Sequence, residues 1–125
     1  ELHLRRVTNV YDIVLLDCPP LLNVSCVNAL AASDFVLVPT MPSKQSADRV
    51  VTLVRRVKDL HQSVNPALGV MGIFGNRTRQ SALTADERAI LTGLRDKCLD
   101  VYGHAVPLFE TFIRQSADVR TSEEE

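Results

Sequence analysis

At 125 residues the chain has room for one domain with a packed core, and not for two. Its 46% hydrophobic and 23% charged residues are an ordinary globular balance, and its formal net charge of −1 gives no bulk attraction to nucleic acid or membrane. Any such binding needs a local patch. No apolar run approaches the ~18 residues of a membrane span, and Glu1 to Arg6 opens no secretory leader. A start on Glu1 instead of Met fits a segment of a longer polypeptide. Cys18, Cys26 and Cys98 are an odd set with no CxxC pair, which fits free thiols in a reducing cytoplasm.

In chain order, the apolar run 13–16 predicts a strand buried on both faces. A short, small-residue-rich helix follows over 23–32, then a strand over 35–38 stopped by Pro39. The spacing of Val50, Val54, Val57, Leu60 and Val64 predicts a helix over 46–64, with Ser46 as N-cap and Asn65-Pro66 forcing the exit. Residues 70–74 predict a third strand, closed by Gly75 and Asn76. Thr84 with Glu87 completes a capping-box pattern, and Ile90, Leu91, Leu94, Cys98 and Val101 form the stripe of a helix ended by Gly103. Gly93 inside that helix suggests close packing. A weak fourth strand falls within 105–113, broken by Pro107. Alternating strands and helices predict an α/β fold, a mostly parallel sheet with flanking helices, whose chemistry sits at the carboxyl ends of the strands.

The informative stretch is Tyr11-Asp12-Ile13-Val14-Leu15-Leu16-Asp17-Cys18-Pro19-Pro20. Four apolar residues deliver one carboxylate, Asp17, to a strand end, where it can hold a hydrated Mg²⁺, an ion that keeps its waters and takes few protein ligands. P-loop NTPases use this Walker B arrangement. Two prolines then fix the backbone as it leaves. Asp12 opens the strand toward solvent, and His3, His61 and His104 lack ligand spacing.

That string, followed by Asn28-Ala29-Leu30 and by Ala32-Ser33-Asp34-Phe35-Val36-Leu37-Val38-Pro39, resembles the Walker B and switch II segment of the ParA/MinD family of P-loop ATPases. Asn65-Pro66 with Gly72-Ile73, the run Asn76-Arg77-Thr78, and Thr111-Phe112-Ile113 with Val119-Arg120-Thr121-Ser122-Glu123 extend the likeness to nearly the whole chain. The partitioning branch is the nearer one, and residues 1–125 read as the C-terminal half of a single ParA-like ATPase domain.

The resemblance implies an ATP hydrolase that uses ATP and Mg²⁺, forms an ATP-dependent homodimer, binds non-specific DNA and answers to a ParB-like centromere-binding activator. It also implies a cytoplasmic, nucleoid-associated protein with no membrane attachment. Carried onto this sequence, Asp17 positions Mg²⁺ through water, Pro19 and Pro20 shape switch II, Asn76 reads the adenine edge, and Arg77 and Arg120 contact DNA phosphates. The pattern departs at Arg114, which stands where the family has a proline beside the adenine, at two extra residues before Val119, and at residues 41–46. Lys44, Lys58 and Lys97 are the only lysines and none follows a glycine, so these residues contain no phosphate-binding loop and the isolated chain is expected to be inactive. A MinD-like membrane-associated regulator and a non-catalytic interaction domain are the alternatives.

Overall fold

A computed structural model describes residues 7, 9–19, 22–78 and 82–115. Within them the order is α1 (Val24–Ala32), β1 (Phe35–Thr40), α2 (Lys44–Ser63), β2 (Gly69–Thr78), α3 (Ala85–Tyr102) and β3 (Ile113–Arg114). The strands pair in parallel in the order β1-β2-β3. Parallel neighbours need a crossover, and α2 and α3 supply the two. The predicted α/β class therefore holds.

In β1 the side chains alternate: Val36, Val38 and Thr40 are buried, while Phe35, Leu37 and Pro39 face away. The strand does not stop at Pro39. Among the described residues β2 is its one strand neighbour, which makes β1 an edge, where a residue without an N–H is tolerated. β2 is also longer than predicted. Gly75 and Asn76 lie inside it because β3 continues the ladder, pairing Asn76 with Ile113 and Thr78 with Arg114. The fourth strand is reduced to β3 and a bridge between Ile73 and Leu108, in which Ile73 N–H donates to Pro107 O at 2.8 Å and Phe109 N–H to Ile73 O at 2.9 Å.

α2 starts earlier than the apolar stripe suggests. Ser43 is the N-cap, its side chain accepting from Ser46 N–H at 3.2 Å. Val50, Val54, Val57 and Leu60 are buried as their spacing requires, whereas Val64, at the C-cap, is 60% exposed. Asn65 then ties the turn to the end of α1, its Nδ2 donating to Ala31 O at 3.1 Å and Ser33 O at 2.8 Å. α3 has the expected capping box, with Thr84 N–H donating to Glu87 Oε2 and Glu87 N–H to Thr84 Oγ1. Gly103 ends it at φ 84°, a left-handed conformation suited to glycine. Gly93 does not mark close packing: a Cβ there would meet nothing within 4 Å.

One core joins these elements. Val36, Val38 and Ile73 from the sheet pack with Val54, Val57 and Leu60 of α2 and Leu94 and Cys98 of α3, while Cys26 and Leu30 of α1 extend the cluster. Lys58 Nζ donates to Val101 O at 2.8 Å, linking α2 to α3. The opposite face of the sheet is apolar and open, with Phe35, Leu37, Met71 and Ile113 about half exposed.

The predicted strand at 13–16 is not formed. Residues 13–19 belong to no strand, and Ile13 and Leu15 are 79% and 87% exposed. An apolar run becomes a strand only when its backbone N–H and C=O groups find a ladder. β1 and β3 each keep an open edge, yet nothing pairs with 13–16 among the described residues.

Candidate functional site

Because the strands are parallel, their carboxyl ends share one edge of the sheet, where Thr40, the pair Asn76 and Arg77, and Arg114 lie. Asn76 is half-buried and Arg77 exposed. Arg77 adopts φ 55°, and the β2–β3 register shifts between Asn76 and Thr78. Arg77 is thus the extra residue of a bulge, a feature that bends a strand and re-aims a side chain. Its N–H donates to Asn76 Oδ1 at 2.9 Å. The sequence predicts an Asn76 amide that offers one donor and one acceptor. Here the acceptor already holds one hydrogen bond, leaving Nδ2 as the uncommitted donor and one lone pair on Oδ1.

Asp17 is exposed at the end of the unpaired 13–16 run, so it does not sit at a strand end as the sequence predicts. Pro19 is exposed beside it. Pro20 and Arg120 lie outside the described residues. The neighbouring Cys18 donates to Leu16 O at 3.6 Å, and partial burial together with Cys26 and Asp17 raises its thiol pKa. Further on, Asn23 caps α1 by accepting from Cys26 N–H at 2.9 Å.

Among the described residues no group of three or more His, Cys, Asp or Glu could enclose a metal ion. Asp17 could thus offer a metal a single carboxylate, which suits only an ion that keeps most of its water ligands. The two described histidines are otherwise engaged: His61 Nδ1 lies 2.9 Å from Leu68 O, and His104 meets Tyr102 edge to face, while His3 lies outside the described residues. The charges of α2 form a mixed, solvated face, with Asp48 paired to Lys97 at 3.5 Å and Lys58 committed to Val101 O.

Sequence reasoning missed one juxtaposition. The pairing of Thr78 with Arg114 puts Arg114 on the strand beside Arg77. Neither arginine enters the two ion pairs of the described residues, Arg95–Asp96 and Lys97–Asp48. Only the strand register brings them together, and no local motif encodes it.

A parallel α/β sheet with helical crossovers and polar groups at its carboxyl edge fits part of a P-loop NTPase fold. The chain belongs to the AAA domain family, whose model matches residues 1–70, and within it to the ParA/MinD-type P-loop ATPases. It is 35% identical over 78 residues to the chromosome-partitioning ATPase Soj of Treponema pallidum, covering 59% of this chain and 31% of that protein. It is 38% identical over 68 residues to the chromosome partitioning protein ParA of Caulobacter vibrioides strain NA1000 / CB15N, covering 54% and 26%. The Soj ATPase of Thermus thermophilus is 38% identical over 64 residues, covering 51% and 26%. The matches thus span a third or less of the relatives' length. No described helix is long and apolar enough to cross a membrane.

Proposed function

We propose that this chain is the C-terminal half of one ParA-like ATPase domain that partitions DNA, a plasmid or a chromosome, in an ATP-dependent cycle. The observation that carries the reading is the string from Tyr11 to Pro20, within the segment matched by the family model. ATP supplies the free energy and Mg²⁺ the charge neutralisation of its phosphates. The phosphate-binding loop comes from outside these residues. Asp17 orients the water shell of Mg²⁺, and Pro19 and Pro20 hold switch II where it senses the phosphate end. Asn76 donates through Nδ2 to the base. Two subunits close around ATP, and the dimer holds DNA through Arg77 and Arg120, which contact phosphates and carry no sequence information. A ParB-like activator then triggers hydrolysis and release in the cytoplasm, at the nucleoid.

A MinD-like membrane role would need a C-terminal amphipathic helix free to lie on lipid.

The test is DNA binding by the protein that carries both halves, with ATP and Mg²⁺, titrated against salt. Wild type should bind duplexes of unrelated sequence equally. The Arg77→Ala/Arg120→Ala double variant should bind all of them more weakly and keep its DNA-free hydrolysis. Unchanged affinity and salt slope would remove both arginines from the interface.

A further inference from the structure

We propose that Arg114 joins Arg77 in a phosphate-contacting corner at the carboxyl end of β2 and β3, taking the backbone of nucleic acid. The proposal rests on the DNA-binding reading above and adds a residue that the family pattern does not supply, since a proline stands at this place there.

Three observations carry it. Thr78 pairs with Arg114, so the arginines sit on adjacent strands, whose spacing is about 4.8 Å. Both are exposed at the carboxyl edge of the sheet. No described carboxylate pairs with either arginine; Glu110, exposed just before β3, enters neither ion pair. The third is the bulge. At φ 55° Arg77 departs from strand alternation without any gain in burial, which costs free energy for a residue other than glycine. A bulge re-aims a side chain, and β3 extends this edge of the sheet by only two residues. With an overall charge of −1, this corner is a local positive feature and not a reflection of composition. Guanidinium forks suit phosphate oxygens, and a flat, exposed pair suits a repeating backbone better than one enclosed ion.

The experiment is anisotropy titration of two labelled duplexes of unrelated sequence with the protein that carries both halves, in ATP and Mg²⁺, over a range of salt concentrations. Salt-dependent binding to both duplexes is expected. Arg114→Ala should flatten the plot of log affinity against log salt by about one, equally for both duplexes. Arg114→Lys should restore most of the slope, and Arg49→Ala, on the exposed face of α2, should leave it unchanged. Thermal melts of each variant control for folding. A slope lowered by Arg77→Ala but untouched by Arg114→Ala would overturn the assignment of Arg114 and leave the DNA reading standing. Wild type that shows no salt-dependent binding would overturn both. Preference for phosphatidylglycerol vesicles over duplex, lost in Arg114→Ala, would assign the corner to lipid and overturn the proposal.

Discussion

Arg77 gives its backbone N–H to Asn76 Oδ1 at 2.9 Å while holding a left-handed φ of 55° inside a strand. The two residues form one unit, since the bulge that displaces Arg77 also orients the amide of Asn76. Left-handed backbone costs an L-residue about 1–2 kcal/mol. Arg77→Gly removes that strain and adds chain entropy to the unfolded state, so its stability should stay within about 1 kcal/mol of wild type. Arg77→Val, β-branched and intolerant of this φ, should lose about 1–3 kcal/mol. Urea melts compare the two, and equal losses would contradict the bulge.

The loop after α3 is seated on a glycine. A Cβ on Gly72 would come within 2.6 Å of Phe109 Cε2, so the ring lies directly across β2. Gly72→Ala should displace the ring at a cost of about 1–3 kcal/mol. In a Phe109→Ala background the same change should cost much less, the coupling expected of residues in contact. Additive losses in the double-mutant cycle would place the ring elsewhere.

The start of α2 separates two readings of one serine pair. Ser43→Ala should cost about 0.5–2 kcal/mol, the usual loss of an N-cap, whereas Ser46→Ala keeps the N–H that Ser43 accepts from and should cost less. A larger loss at Ser46 in a thermal melt would return the helix start to the place the sequence predicts.

Cys98 is fully buried in α3, and burial pushes its thiol up from 9.0 to about 11. The folded thiol keeps its proton where the unfolded one releases it. The stability it contributes is therefore present below pH ~9 and lost as pH rises toward ~11. Cys98→Ala should be less stable at neutral pH and show a shallower decline across that window. Native alkylation at pH 8 should reach exposed Cys18 well before Cys98. Equal labelling rates, or parallel pH profiles, would contradict this burial.

Helices with strong local chemistry were legible in the sequence. Thr84, Glu87 and Gly103 bound α3 because caps are local, and Val50, Val54, Val57 and Leu60 mark α2 because one face must be buried. Strand ends were not legible. Pro39 reads as a stop and Gly75-Asn76 as an exit, but a strand ends where its partner ends, and the partners lie far along the chain. The 13–16 run shows the same dependence in reverse, with strand-forming residues and no ladder. For the same reason Asp17 and Asn76 stand as candidates from their strings alone, whereas their relative position depends on pairing. The closeness of Arg77 and Arg114 appears only once the register is known.

The most direct measurement of the central claim is ATP turnover by the protein that carries this chain together with its phosphate-binding half, in Mg²⁺, for wild type and Asp17→Asn. The carboxylate is the one described group assigned to the metal, so the amide should lower kcat by about 10²–10³, the range for loss of one aligned electrostatic group. It should do so without lowering thermal stability, because Asp17 is exposed. Turnover within twofold of wild type would show that Asp17 does not act on Mg²⁺, and the ATPase reading of the Tyr11 to Pro20 string would fail with it.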